Sequence, residues 1–452
     1  MNKTFPKIDI VILAAGMGTR MKSDVPKVLH PLLGKPMVSY IFQAVRELVG
    51  EAPVVVVGNK AKMVEETLGS QARYALQEPQ LGTAHAVQCA REMLKGKSDI
   101  VLVANSDFPL ITTDTYSKLV ETHIKEGNTL TISTVIADDP RGFGRILRDE
   151  KGNIVRIVEE KAATLEQKKI RELNSNPYCF SASWLWEALD RVKKSDVGEF
   201  YLTDLVEIAY QDGLKAGSIE ISNKEEAIGI NNRIHLAEAT RALQRRINQK
   251  WMLAGVTMID PEKVYIEDTA IIGRDTVLYP EVYLRGDTRI GENCEIGPSV
   301  VVQDTTIGNG CRLLFAMLES ARLGDHVDMG PFGHLRKGAY LDDHVHMGNF
   351  GEVKNSHLGP GTKMGHFSYL GDAEIGPNVN IGAGTITCNY DGENKNKTII
   401  GEGAFIGSDT MLVAPVQIGK GAKTGAGAVV NKDVPEGEIW VGVPAKQINK
   451  KK

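Results

Sequence analysis

At 452 residues the chain is too long for one hydrophobic core, and length alone predicts two domains. A formal net charge of −4 leaves no broad basic field, which argues against a nucleic-acid partner. The N-terminus runs into a strand without a signal-like segment, and no apolar run approaches membrane-spanning length. With five scattered cysteines and no C-x-x-C, these features predict a cytoplasmic protein with reduced thiols and no membrane partner.

The first half reads as α/β. Residues 8–14 (IDIVILA) form an apolar strand, a helix is predicted over 37–48, and strands follow at Val54–Val57 and 99–104. Apolar runs alternating with helical stretches predict a mostly parallel, Rossmann-like sheet covered by helices. Such sheets bind ligands at the carboxyl ends of their strands. The first strand empties into L-A-A-G-M-G-T-R-M, residues 13–21 (Leu13, Ala14, Ala15, Gly16 and onward). Gly16 and Gly18 are expected to permit positive φ and close backbone approach, so that N–H groups cradle phosphate oxygens. Arg20 can bind a phosphate with two parallel hydrogen bonds, and Lys27 sits nearby in Pro26-Lys27-Val28-Leu29. The loop is neither a Walker A sequence nor G-x-G-x-x-G.

Residues 232–253 read as one helix, an arm between domains 1–231 and 254–452. Ile234, Ala237, Ala242, Leu243, Ile247 and Trp251 mark its apolar side; Arg241, Arg245, Arg246 and Lys250 read as a solvated face. Asn231 is placed to cap this helix.

From Ile266 to Val430 an aliphatic residue returns almost every sixth position, as in Ile272-Gly273, Ile290-Gly291, Ile307-Gly308 and Leu323-Gly324. Such a period fits neither a helix nor an ordinary strand, and predicts a parallel β-helix of hexapeptides. The aliphatic residue points inward, and the small residue after it is expected to let the chain turn the corner. The rhythm breaks between Ile381 and Ile400, at T-C-N-Y-D-G-E-N-K-N-K-T, where a loop leaves the coil. Arg336, Lys354, His366, Tyr369 and Asn380 fall at outward positions of their coils. Arg336 and Lys354 suit a phosphate, and His366 can accept a proton near neutrality. His344 and His346 read as exposed strand residues.

L-A-A-G-M-G-T-R-M followed by P-K-V-L resembles the signature of sugar-1-phosphate nucleotidyltransferases. With the hexapeptide half, Gln80-Leu81-Gly82-Thr83 and Asn380–Gly392 (NIGAGTITCNYDG), nearly the whole chain resembles the bacterial bifunctional N-acetylglucosamine-1-phosphate uridyltransferases and glucosamine-1-phosphate N-acetyltransferases. The resemblance implies a Rossmann-like domain, a helical linker and a left-handed β-helix, assembled as a homotrimer. It implies acetyl transfer from acetyl-CoA to glucosamine-1-phosphate, with His366 as base. Mg²⁺-dependent uridylyl transfer from UTP to N-acetylglucosamine-1-phosphate follows, served by Arg20 and Lys27, giving a peptidoglycan and lipopolysaccharide precursor.

Carried over by position, Gln77, Gly82 and Thr83 contact uracil, and Asp107 and Asn231 hold the metal. Gly144, Glu159 and Asn174 hold the sugar. In the second half Asn389, Tyr390, Ala383, Ser408 and Ala426 serve acetyl-CoA beside Arg336, Lys354, Tyr369 and Asn380. The chain departs from the family pattern at Asn105-Ser106-Asp107, where Gly usually precedes the aspartate, and at Ser175-Asn176 after Asn174. It departs again at Gly442-Val443-Pro444, where an arginine is usual; Lys446 or the tail Lys450–Lys452 is the candidate replacement charge. Two alternatives stay open: a monofunctional nucleotidyltransferase with an inert β-helix, and a non-catalytic assembly subunit.

Overall fold

The computed structural model describes residues 6–196 and 198–448. Contacts divide the chain into two units, Met1–Leu243 and Gln244–Lys452, and the division falls inside the helix Arg233–Leu253.

The first unit is built on a nine-stranded sheet: β1 (Ile8–Leu13), β2 (Val54–Val57), β3 (Arg73–Leu76), β4 (Ile100–Asn105), β5 (Leu130–Ile136), β6 (Arg145–Arg148), β7 (Ile154–Val158), β8 (Glu172–Ser181) and β9 (Ala216–Glu220). Their order is β9-β5-β8-β4-β1-β2-β3, with β6 pairing both β7 and β8. β1 is apolar at nearly every position because both sheet faces are covered. Val11 and Leu13 pack into one core cluster, Ile10 and Ile12 into the other. The chain leaves β1 toward β2 and β3, then returns to its other side at β4, so a crevice opens between the carboxyl ends of β1 and β4.

The sheet is mixed where the sequence predicts a mostly parallel one. β8 runs antiparallel to β4 and β5. Between β5 and β8 the chain makes the antiparallel β6–β7 hairpin in place of a helical crossover, and a parallel neighbour needs such a crossover.

In the helix Arg233–Leu253 the predicted apolar side is partly misplaced. Ile234 is 70% exposed and Ala237 is exposed; the buried positions are Ala239, Ala242, Leu243, Gln244, Ile247 and Asn248. Two of these are polar for a reason. Gln244 Nε2 donates to Glu262 O (2.9 Å) and Val264 O (2.8 Å), and Asn248 Nδ2 donates to Pro261 O (2.7 Å) and Val264 O (2.9 Å). The amides thus satisfy carbonyls at the start of the β-helix, groups that cost free energy if buried unpaired.

The second unit is a three-sided parallel β-helix, its strands stacked into sheets of twelve, ten and nine. Ile272, Ile290, Ile307, Leu323, Leu341, Leu358 and Ile375 pair in succession and are buried, as the hexapeptide reading requires. Ile375 then pairs with Ile400, so residues 389–396 leave the coil as the inserted loop. The corners work differently from the expectation. Most glycines after an inward residue do not carry a positive φ; Gly297 (φ 104°) and Gly330 (φ 111°), each followed by a proline, do. At Gly273 a Cβ would lie 2.5 Å from the backbone of Gly291 in the next coil, so close coil approach selects glycine there. The left-handed turn falls two residues later, at Asp275 (φ 59°) and Asn293 (φ 56°). Short polar side chains tolerate that region.

Candidate functional sites

In the first unit the crevice holds a cavity of about 300 Å³. Leu13, Ala15, Gly16, Lys27, Gln77, Gly82, Thr83, Asn105, Ser106 and Asp107 line it; Ala14 points into the core. Gly18 takes φ 63°, and a Cβ on it would come 2.6 Å from Lys27 Cβ, which draws the loop against the lysine segment. Gly16 needs neither positive φ nor close packing, since a Cβ there meets nothing within 4 Å. Its value is open space on the ligand side.

Four residues from three distant segments of the chain meet beside this cavity. Lys27 Nζ donates to Asp107 Oδ2 at 2.8 Å and lies 3.5 Å from Asn231 Oδ1. Arg20 Nη2 donates to Asn231 Oδ1 at 2.8 Å. Ile230 N donates to Asp107 O at 2.8 Å and so ties the Asn231 segment to the end of β4. One ammonium stands against both Asp107 and Asn231, so these oxygens converge and could hold a hard divalent cation. The helix cap does not use Asn231 but its neighbour: Asn232 Oδ1 accepts from His235 N at 2.9 Å.

At the other end of the cavity Gln77 is buried, and its Nε2 donates to Gly82 O at 2.9 Å, leaving Oε1 for a ligand. Gly82 takes φ 102° against the backbone of Phe200. Ser106 turns its hydroxyl onto Leu13 O, so the departure from glycine narrows the site without adding a donor to it. Asn105 Oδ1 is buried without a protein partner.

Gly144, Glu159 and Asn174 come together outside that lining, where β6, β7 and β8 meet. Asn174 N donates to Gly144 O at 2.9 Å, and a Cβ on Gly144 would lie 2.6 Å from Ile157. Asn174 Nδ2 donates to Tyr178 Oη at 2.6 Å, while Oδ1 is buried without a partner. Asn176 turns the chain at φ 44°. Glu159 accepts from Thr203 Oγ1 at 3.0 Å; burial pushes its carboxyl above the ordinary range. Burial, then the charge of Glu159, pushes Asp204 up to about 6.

Sequence reasoning missed Gln80, Glu199 and Tyr201, which also line the cavity. Gln80 stood inside the motif that was read. Glu199 and Tyr201 lie in a loop with no periodic pattern, so no spacing signal pointed to them.

In the β-helix the residues form two groups. His366, Ala383, Ser408 and Ala426 occupy the same position of successive coils, each two residues after Met364, Ile381, Ile406 and Thr424. This corner column is joined by Asp409 N to Ala383 O (2.6 Å) and Gly427 N to Ser408 O (2.8 Å). His366 is exposed, and Asn380 stands on the strand that enters the column. The second group lies on the next face. His334, Glu352 and Tyr369 are successive rungs of one sheet. Arg336 Nη1 donates to Glu352 Oε1 at 3.0 Å, and Asn389 Nδ2 donates to Asp372 Oδ2 at 2.5 Å. Lys395, a cation the sequence reading passed over, lies here with Arg336; first Lys395 and then Arg336 hold Lys354 below its ordinary pKa. The inserted loop delivers Lys395, and Tyr390 pairs with it in an isolated bridge. Three cations on one exposed face suit a phosphate.

His346 pairs with Asp328 at 2.9 Å and His344 stacks on His326, ring centroids 5.1 Å apart. Gly442 adopts φ 91° and Lys446 is exposed; Lys450–Lys452 lie outside the described residues.

The "Nucleotidyl transferase" family model matches residues 9–252, and the "Bacterial transferase hexapeptide (six repeats)" model matches residues 269–304 and 397–432. The chain is similar to the bifunctional protein GlmU of Caldanaerobacter subterraneus subsp. tengcongensis, 48% identical over 97% of this chain and 96% of the relative. It is also similar to those of Heliobacterium modesticaldum (46%; 95% and 94% covered) and Geobacillus sp. strain WCH70 (47%; 97% and 96% covered).

Proposed function

The chain belongs to the bifunctional GlmU family, an acetyltransferase and uridyltransferase that makes UDP-N-acetylglucosamine for cell-wall synthesis, and we propose that the clusters above are its two active sites. The observation that carries the reading is the convergence of Arg20, Lys27, Asp107 and Asn231 at the switch point of the sheet.

In acetyl transfer the amine of glucosamine-1-phosphate attacks the thioester carbon of acetyl-CoA. The C–N bond forms, the C–S bond breaks and CoA leaves as thiolate. His366 takes the proton that the amine sheds. Arg336, Lys354 and Lys395 hold the sugar phosphate and its neighbourhood, and the column Ala383–Ser408–Ala426 gives the acetyl donor's arm a smooth track of small side chains.

In uridylyl transfer a phosphate oxygen of N-acetylglucosamine-1-phosphate attacks the α-phosphorus of UTP, and pyrophosphate leaves. The nucleophile is already anionic, so the site needs no general base. Arg20 and Lys27 bind and neutralise phosphate oxygens, while Gln77, Gly82 and Thr83 seat the base. Gly144, Glu159 and Asn174 seat the sugar. Asp107 and Asn231 would hold Mg²⁺, which supplies charge neutralisation at the phosphates when bound.

The protein works in the cytoplasm, as a homotrimer through its β-helix, an assembly that the hexapeptide repeats support. The decisive experiment incubates the purified protein with glucosamine-1-phosphate, acetyl-CoA, UTP and Mg²⁺ and identifies products by mass, omitting each component in turn. UDP-N-acetylglucosamine that still forms without acetyl-CoA would contradict the two-step reading. Sedimentation of a stable monomer that acetylates would contradict the trimer.

A further inference from the structure

Arg145 is among the largest fully buried side chains in the protein, at 1% exposure, and it is a cation. It opens β6 and pairs with Val158, the last residue of β7. The β6–β7 register therefore ends there. Continuing that register past its end sets Gly144 opposite Glu159, and Phe143 opposite Glu160. The first of these pairs is two of the three residues assigned to the sugar. The second pair is where the Arg145 guanidinium goes: Nη1 donates to Phe143 O and forms an ion pair with Glu160 Oε2, which accepts no hydrogen bond. Lys168 Nζ stands 3.8 Å from the other oxygen of Glu160. Nε of Arg145 is buried with no partner, so the ion pair is an incomplete one.

We propose that Arg145 and Glu160 form a clasp that holds the frayed ends of β6 and β7 in register and thereby fixes Gly144 and Glu159 at the spacing the sugar needs. Both are positioning residues; neither touches the reacting atoms. Among the described residues the ladder itself ends at Arg145 and Val158 and does not bind these ends to each other. Gly144 is tied to β8 through Asn174 N, and Glu159 to Thr203, but these anchors lie on different segments. An incompletely bonded buried charge is a weak source of stability, and its attested use is to specify one geometry. The inference rests on the sugar-site assignment of Gly144 and Glu159.

The test is steady-state uridylyl transfer by the full chain, with N-acetylglucosamine-1-phosphate and UTP each varied. Glu160→Gln removes the clasp but leaves a buried charge unanswered and can unfold the unit. The double variant Arg145→Met/Glu160→Gln removes both charges, a change that buried pairs tolerate in folding terms. In the double variant KM for the sugar phosphate should rise about tenfold, as loss of a supporting shell does, with kcat and KM for UTP within about twofold of the parent. Glu160→Asp, which keeps the charge on a shorter arm, should recover part of the loss. Glu159→Gln serves as reference. If Glu159→Gln raises the sugar KM and the folded double variant does not, the clasp is wrong and the sugar site stands. If neither moves it, the sugar-site assignment falls and the clasp with it. Equal rises in KM for both substrates would mark Arg145 as general scaffold and overturn the proposal.

Discussion

The two units build a site by opposite routes. In the first, Arg20 and Asn231 meet across 211 positions of sequence because a sheet folds distant loops onto one crevice. In the second, His366, Ala383, Ser408 and Ala426 align because each coil repeats the last, so sequence phase becomes spatial column. A sheet site depends on long-range convergence; a solenoid site depends on register. The first should fail as a whole when one anchor goes, the second should fail coil by coil.

Asp107→Ala should have the largest effect. It removes the charged group from the proposed metal-holding pair and takes the ion-pair partner from Lys27. Uridylyl transfer should fall by about 10³-fold or more, a scale reached by deleting one well-placed charge-stabilising group. Acetyl transfer, assayed as free thiol, should be unchanged. Wild-type uridylyl turnover in this variant would remove Asp107 from the metal site.

His366→Ala should lower acetyl turnover by roughly 10²–10⁴-fold, the range of positioned base catalysis. KM for glucosamine-1-phosphate should hardly move, since Arg336 and Lys354 stand on the next face. Uridylyl transfer from supplied N-acetylglucosamine-1-phosphate should be untouched. Loss of both activities in a folded variant would break the separation of the units.

The contrast also explains what was readable in advance. The hexapeptide phase gave the β-helix fold and the outward residues directly, because in a solenoid position along the repeat is position in space. It misjudged the corners, since a repeat pattern shows that Gly273 is small without showing whether φ or a neighbouring coil demands it. In the sheet, β1 and its glycine loop were legible from local pattern. The meeting of Asp107 with Asn231 was not, because no spacing rule connects β4 to the start of a helix more than a hundred residues on; resemblance alone suggested it. Gln244 and Asn248 escaped the sequence reading for a similar reason. Their burial depends on the carbonyls of Pro261, Glu262 and Val264, which a helical wheel does not contain.

Core truncation sharpens the same difference. Leu102→Ala in β4 and Leu335→Ala in the β-helix each remove a fully buried side chain. Each should cost about 2–5 kcal/mol. Leu102→Ala should shift the melting of the whole first unit. Leu335→Ala should raise hydrogen exchange in its own and adjoining coils and leave distant coils protected, since solenoid coils contact only their neighbours. Uniform loss of protection along the β-helix would contradict that picture.

The smallest effect is one of pH, and it belongs to the sheet because only convergence crowds carboxylates there. Asp204 is raised from 3.8 to about 6, by burial first and the Glu159 charge second. A folded pKa above the unfolded one means that the folded state holds the proton more tightly. The stabilisation is therefore complete below about pH 4 and is lost as pH rises through about 6. Solvent screening of this partly exposed carboxyl reduces the change to about 1–2 kcal/mol. Asp204→Asn cannot ionise, so its first unit should be more stable than the parent at pH 7.5, with the gap closing toward pH 4. Glu159, also raised by burial, would still titrate and leave a smaller slope in the same direction. Calorimetric melting at pH 4, 6 and 7.5 would read the gap directly. A gap that widens toward low pH would reverse the sign and show that Asp204 is held as a stabilised carboxylate.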